Sequence, residues 1–228
     1  MRVLVLLLLT NLIVGCSNQP KFNPELKSEL AAILKKDQGY RELYGGGISE
    51  TRKHELLAEL NLTETDFLQN ERALFEENDS LNLIQVEKII EEHGYPGKTL
   101  VGEPENEAAW FVIQHSNKIE AYFPLIKKAG QNQEIGAMKV AMMEDRMLMD
   151  QGKEQIYGTQ AKANFLVENP SSQDDVKYVI WPIAHPEMVN ELRTKAGFNT
   201  TVEEYATMMN IKYQMYSLEE VNEMNKMK

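Results

Sequence analysis

Apolar residues recur at helical spacing through most of the chain, and start and stop signals divide this pattern into segments. A first helix is predicted from Pro24 to about Tyr44, because Asn23 is a good N-cap and three glycines follow. Similar signals predict helices at 49–60, 63–77 and 82–93. The stretch "NEAAWFVIQHSN", residues 106–117, is apolar on nearly all sides, which is typical of a buried helix.

The second half of the chain adds a short stretch of β-forming residues. After helices that end near Gly130 and Gln151, "EQIYGTQAKANFLV" and "VKYVIWPI" flank the turn-like "ENPSSQDD", which predicts a hairpin near residues 155–182. Helices are again predicted at 186–196 and from about Val202 onward, where "TVEE" is typical of a capping box. The pattern therefore indicates a mainly α fold, with one helical domain at residues 24–228 and a small β-hairpin insertion.

The first residues have the pattern of an export signal. Arg2 precedes an apolar run from Val3 to Val14, too short to span a bilayer comfortably, and "IVGC" resembles the lipobox of bacterial lipoproteins. This predicts a signal peptide at 1–15, lipidation of Cys16 and a polar tether at 16–23. The alternative is an ordinary buried helix with an incidental cysteine.

Composition narrows the choice of partners and location. Cys16 is the only cysteine, so no internal disulfide is predicted. The formal net charge of −11 argues against nucleic acid and against broad adhesion to anionic lipid. We expect a lipid-anchored protein of the cell envelope, held on a membrane through Cys16. Ser17, rather than aspartate, after the cysteine favours the outer membrane.

Several helices direct ionisable side chains toward the core. Leu26, Leu30, Ile33 and Leu34 form an apolar stripe, Asp37 falls near its centre, and Arg41 lies one turn further on the same side. By the same spacing the inward set also contains His93, His115 and Asp145, with Arg146 at the edge of its stripe. Singly, each is explained as a hydrogen-bonded core residue or a structural ion pair. Together they predict one shared polar cleft, because separate burial would be costly.

The residue types in this predicted cleft suit proton transfer. Aspartate and histidine together perform general acid–base catalysis. Mixed His and carboxylate ligands also suit some metals, but His-x-x-x-His, Glu-x-x-His and cysteine ligand patterns are absent, so no metal site is predicted. No G-x-S-x-G motif marks a serine nucleophile. The sequence identifies no cofactor.

A second polar cluster lies in "EQIYGTQ". Gln155, Tyr157, Thr159 and Gln160 offer donors and acceptors, and Gly158 allows close approach of a ligand or another backbone. One interpretation is a wall that orients a polar substrate. The other is a strand edge with a glycine bulge.

The quoted motifs resemble a known family. "HGYPGKTLVGEPENEAAWFVIQHSN", "AMMEDRMLMDQGKEQIYGTQ" and "WPIAHPEMVNELRTKAGF" occur in the order typical of the bacterial domain of unknown function 6624, over roughly residues 25–206. The resemblance implies importance for these residues: Asp37, Gln38, Arg41, His93, Gly94, Pro96, His115, Asp145, Arg146, Gln155, Tyr157, Gly158, Thr159, Gln160 and Arg193. The chain departs from the family at Ser116–Asn117, where many members have Ala–Asp. No activity comes with the resemblance.

Three functions are compatible with these features. The first is an acid–base enzyme, hydrolase-like, with His115 or His93 as proton-transferring group, Asp37 and Asp145 as orienting carboxylates, and Arg41 or Arg146 as anion partner. In the second, a non-catalytic lipoprotein binds a small polar ligand in the same pocket. In the third, a surface interaction module uses its inward charges only to specify packing.

Overall fold

The computed structural model describes residues 21–165 and 176–226, and it confirms a mainly α fold with a small antiparallel sheet. The helices are α1 (Pro24–Gly45), α2 (Glu50–Glu59), α3 (Glu64–His93), α4 (Lys98–Val101), α5 (Ala108–Gln114), α6 (Ile119–Gln131), α7 (Ala137–Asp150), α8 (Val189–Lys195), α9 (Val202–Met208) and α10 (Leu218–Lys226). The strands are β1 (Ala161–Phe165) and β2 (Val176–Ile180), and a 3₁₀ turn covers Glu105–Glu107.

The predicted helix caps are present. The Asn23 side chain accepts from the backbone N–H groups of Glu25 and Leu26, and that of Thr63 accepts from Asp66 N–H. Thr201 forms the predicted capping box with Glu204. These side chains satisfy backbone donors that a helix start leaves without partners, so local sequence determines where the helices begin.

Two predicted boundaries were wrong. The predicted break between residues 77 and 82 is absent: α3 continues through it, with non-helical backbone only at Asn70. The polar run there contains neither glycine nor proline, so nothing interrupts a helix whose next turns pack on α1. Conversely, the last predicted helix is two helices, because α9 ends near Asn210, which has a φ of +57°.

Two apolar clusters support the site regions described below. The larger combines α1 and α3 with α4 to α7, around Leu30, Val86, Trp110, Ile113 and Ile126. The smaller joins the hairpin to α8 and α9 through Ile180, Ile183, Val189, Val202 and Ala206. The segment after α7 therefore connects two separately packed parts of the protein.

The predicted hairpin is confirmed, but its first strand is shorter than predicted: β1 begins at Ala161, and residues 156–160 form a loop instead of a strand edge. Ala161 lies opposite Ile180, and Phe165 lies opposite Val176. Before β1, Gln155 forms an isolated parallel bridge with Ile183, which ties the preceding loop to the segment after β2. The predicted turn at 168–175 lies outside the described residues.

The predicted export signal, Cys16 and most of the tether also lie outside the described residues. Residues 21–23, the end of the predicted tether, have no regular secondary structure, and Asn23 N–H donates to Leu100 C=O at 2.8 Å. Among the described helices, none combines the length and the apolar character needed to cross a membrane.

Candidate functional site

Asp37 is the buried carboxylate of α1. Its side chain is 1% exposed, on the face that also carries Leu30 and Ile33, so the predicted inward orientation is confirmed. Gln38 Nε2 donates to Oδ2 at 2.7 Å, and Arg41 Nη2 donates to Oδ1 at 3.4 Å. Burial raises the pKa of Asp37, whereas His115, Arg41 and Gln38 lower it. Their combined effect is larger than that of burial, so the pKa of Asp37 is below the ordinary carboxyl value.

His115 meets Asp37 from the end of α5. Its Nδ1 lies 3.8 Å from Asp37 Oδ2, an ion-pair distance that is too long for a direct hydrogen bond. Nδ1 is buried and has no hydrogen-bond partner within residues 21–165 and 176–226. His115 also lines a cavity of about 170 Å³. An inward Asp and a partly accessible His therefore form a dyad at a cavity.

Arg41 extends this dyad to α3. Its Nη2 also donates to Asp79 Oδ1 at 2.8 Å, and its guanidinium lies 4.8 Å from the centre of the Phe75 ring. Asp79 lines the same cavity as His115. The two carboxylates and the arginine thus connect α1, α3 and α5, which pack against one another in the larger core.

Buried donors without partners occur on α1 and α3. Within the described part of the chain, Arg41 Nε and the Nδ2 atoms of Asn78 and Asn82 are buried without a hydrogen bond. Such groups cost free energy unless a ligand, an ion or water satisfies them. Sequence analysis missed Asp79, Asn78 and Asn82. Asn82 and Asn78 lie four and eight residues before Val86 on the same buried face of α3. Because a break was wrongly predicted between residues 77 and 82, these two residues were not recognised as part of that face.

Asp145 is buried in a different environment. Its side chain is fully buried, as predicted, and it accepts hydrogen bonds from the backbone N–H groups of Ile156, Tyr157 and Thr159 and from the Thr159 hydroxyl, at 2.8–3.2 Å. Burial raises the pKa of Asp145, and these donors counteract that effect only in part. The carboxylate fixes the shape of the loop at 156–159.

The glutamines of "EQIYGTQ" also hold backbone. Gln155 is fully buried: its Nε2 donates to the carbonyls of Gln160 and Trp181, and its Oε1 accepts from Gln160 N–H. Gln160 Nε2 donates to Thr159 Oγ1 at 3.1 Å. Both side chains are therefore engaged within the protein. Their geometry favours the structural interpretation of these two residues over a substrate-facing wall.

Gly158 and Arg193 complete this loop. Gly158 has a φ of +68°, and a Cβ there would lie 2.6 Å from Val202 Cγ2, so no larger residue fits without a shift. Arg193 is fully buried and donates to Tyr157 C=O and Thr200 C=O at 2.8 Å each. Burial lowers the pKa of Arg193. Of the four residues of this motif that were predicted to contact a substrate, Tyr157 lines a cavity of about 410 Å³.

The structure corrects the prediction of a single cleft. His93 is not directed inward: it is exposed at the end of α3, with Nε2 3.8 Å from Glu92. The helix ends at His93, and Tyr95 packs against the core instead, its hydroxyl donating to Asn106 C=O. Of the residues predicted to share the cleft, Arg41 and His115 do lie beside Asp37.

Asp145 instead holds the loop at 156–159. Among the described residues, no hydrogen bond or ion pair links Asp145 to Asp37, Arg41 or His115. Arg146 is half-buried, and its buried Nε has no hydrogen-bond partner among the described residues.

Within the described residues, metal-type ligands come within reach of one another at the exposed trio Glu50, His54 and Glu64. Lys53 Nζ already lies 2.7 Å from Glu64 there.

Residues 24–218 match the family of unknown function DUF6624, and the chain belongs to this family. The resemblance seen in the motifs is thereby confirmed. No match was found among curated proteins or among solved structures.

Proposed function

We propose that this protein is an acid–base enzyme, hydrolase-like, in which His115 transfers the proton and Asp37 orients the His115 ring. The observation that carries the proposal is the placement of His115: its buried Nδ1 faces the Asp37 carboxylate, and its ring lines a cavity. An ionised carboxylate beside Nδ1 favours the tautomer with the proton on Nδ1, so that Nε2 is left as the base.

In this mechanism Nε2 takes a proton from a water molecule or a substrate hydroxyl in the cavity. The resulting imidazolium is stabilised by Asp37, whose lowered pKa keeps it ionised. We expect the 3.8 Å separation to shorten when a substrate binds, since catalytic hydrogen bonds are often long in the free enzyme. Arg41 donates to the other oxygen of Asp37 and helps to hold the carboxylate in place.

A non-catalytic lipoprotein that binds a small polar ligand is the second candidate. The buried amide groups of Asn78 and Asn82 support it, because they are donors that a bound molecule would satisfy. A binding protein gains thermal stability from the ligand and leaves it intact, whereas an enzyme converts it.

One test of the dyad needs no substrate. Nitrogen NMR of histidine-labelled protein, above the pH at which imidazole ordinarily titrates, reports the tautomer of each ring. We expect His115 to carry its proton on Nδ1, and we expect Asp37→Asn to shift that equilibrium. The exposed His54 is the internal control. An Nε2-protonated His115 in the unaltered protein would contradict the proposed mechanism.

A second test uses activity. His115→Asn and Asp37→Asn are compared with His54→Asn against model esters, amides, phosphoesters and glycosides, with circular dichroism to verify folding. We expect any turnover to fall at least about a hundredfold in the first two variants, a typical contribution of acid–base catalysis. Turnover that survives His115→Asn would exclude this residue as the proton-transferring group.

We also propose that the protein is lipid-anchored in the cell envelope. The leader before Cys16 supports this. Expression of the full chain with labelled palmitate should label the protein, and Cys16→Ser should abolish the label and release the protein from the membrane fraction. Labelling that persists in Cys16→Ser would contradict anchoring at this position.

A further inference from the structure

A second cavity lies between α6, α7 and α8, away from the Asp37 dyad. Its volume is about 410 Å³, within the range of small-molecule sites. Its lining includes Tyr157, Ala137, Val140, Ala141, Leu192 and Ala196. We propose that it binds an amphipathic organic anion, with an acyl or aromatic body against these side chains and a single anionic head at the rim. This site is independent of the proposed proton transfer.

The first argument is the way in which Tyr157 is held. Its N–H donates to Asp145 and its C=O accepts from Arg193, so both backbone groups are fixed. The tight turn at Gly158 further restricts the loop. The Tyr157 side chain is half-buried in the cavity, and its hydroxyl has no hydrogen bond within the described part of the chain. The surrounding residues therefore fix the backbone, and one phenol is left to contact a guest.

The second argument is the shape of the hollow. Small side chains, Ala137, Ala141 and Ala196, leave space between the helices. Gly130 also lines the cavity, and a Cβ at Gly130 would lie 2.5 Å from Val140 Cγ2, so α6 and α7 approach closely at its edge. The walls are mostly apolar, as in sites that take a hydrocarbon or aromatic body.

The third argument is the charge at the rim. Lys127 and Lys195 line the cavity with a single carboxylate, Glu144, in a protein whose net charge is −11. Lys127 pairs with Glu144 at 3.1 Å, and Lys195 pairs with Glu191 at 2.6 Å. Both lysines are exposed, although Glu144 is partly buried, and ion pairs of exposed lysines contribute little, so either ammonium can turn to an anionic head. The Tyr157 hydroxyl supplies a further donor.

The experiment compares probes that share a body and differ in charge. Isothermal titration calorimetry of the intact protein with octanoate should show one saturable site, and octylammonium should bind at least about tenfold more weakly, a difference near 1.4 kcal/mol. Naphthalene-2-carboxylate tests the aromatic body. Absence of saturable binding for both carboxylates, or equal binding of octylammonium, would overturn the proposal.

Variants then place the site. Ala137→Phe fills the cavity from an exposed position, and we expect about a tenfold loss of octanoate affinity. Tyr157→Phe removes only the hydroxyl and should cost about threefold, whereas Tyr178→Phe, an exposed tyrosine of β2, should cost nothing. Unchanged affinity in both Ala137→Phe and Tyr157→Phe would show that octanoate binds elsewhere.

Neighbouring lysines give a matched control for the head group. Lys127→Gln removes a rim charge, and Lys128→Gln removes the next charge along α6, which does not line the cavity. We expect weaker octanoate binding, by about threefold, only in Lys127→Gln. His115→Asn should bind octanoate normally, so the two proposed sites succeed or fail separately.

Discussion

Asp37 and Asp145 have the same sequence pattern, an aspartate near the centre of an apolar helical stripe, yet their surroundings differ. Asp145 accepts from three backbone N–H groups and one hydroxyl, all within residues 156–159. Asp37 is held by the side chains of Gln38 and Arg41, with His115 nearby and unsatisfied donors on the adjoining helices. One carboxylate is saturated, and the other lies beside groups that still lack partners.

This difference separates a structural carboxylate from a candidate catalytic one. Backbone donors cannot move away without unfolding the loop, so Asp145 determines the backbone conformation around Tyr157. Side-chain donors can rearrange around a substrate, and the Asp37 group lies next to a cavity through His115 and Asp79. Inward orientation alone therefore does not distinguish the two aspartates, whereas the type of hydrogen-bond partner does.

The largest expected effect is on Asp145. In Asp145→Asn an amide NH₂ replaces one oxygen and faces backbone donors, which leaves buried N–H groups unsatisfied. We expect the free energy of unfolding in urea to fall by about 4 kcal/mol. Asp150→Asn, an exposed position at the end of the same helix, should change it by less than about 0.5 kcal/mol. A loss below about 1 kcal/mol in Asp145→Asn would contradict a structural role for the Asp145 carboxylate.

Gly158 tests the same loop from its backbone. Gly158→Ala should cost about 3 kcal/mol, because the positive φ is unfavourable for alanine and the added Cβ meets Val202. Gly152 has a similar φ of +67° but open space around it, so Gly152→Ala should cost only about 1 kcal/mol. Equal losses in urea unfolding would mean that Val202 yields freely and that the loop is not tightly packed.

Asp37 should tolerate substitution better. Asp37→Asn keeps the shape of the side chain, and Arg41 is partly exposed and can turn to water. We expect a loss of about 1 kcal/mol in the free energy of unfolding, well below that of Asp145→Asn. A loss as large as that of Asp145→Asn would show that Asp37 is equally structural.

The two carboxylates should also respond to pH in opposite directions. The pKa of Asp37 is lowered on folding, so its contribution to stability is complete above the unfolded value of 3.8 and is lost as the pH falls through its folded pKa. The pKa of Asp145 is raised, so stability falls as the pH rises from 3.8 toward its folded pKa. The free energy of unfolding in urea is measured for the parent, Asp37→Asn and Asp145→Asn across acidic pH. The parent value minus the variant value should increase with pH for Asp37→Asn and decrease with pH for Asp145→Asn. Parallel slopes would contradict this.

The local features of the fold were predictable from sequence. Asn23, Thr63 and Thr201 cap helices through contacts within three residues, and periodicity located the buried faces of Asp37 and Asp145. Short-range hydrogen bonds and helical geometry depend on neighbours in sequence, so the chain encodes them directly.

The partners of the inward groups were not predictable. Periodicity does not determine whether a carboxylate meets a backbone loop or another helix, and this is the difference between Asp145 and Asp37. His93 was misplaced because its stripe ends with the helix, and Tyr95 packs against the core instead. Asn78 and Asn82 were missed because the polar run at 76–80 resembled a connection, although packing on α1 keeps it helical.

The double attachment of the Tyr157 backbone has a thermodynamic consequence. A flexible loop loses conformational entropy when it closes on a guest, and that loss weakens association. Here Asp145 and Arg193 immobilise the segment through hydrogen bonds within the protein itself. A molecule that fits the proposed site would therefore bind without that penalty, and one that does not fit could not reshape the loop, so selection by size should be steep.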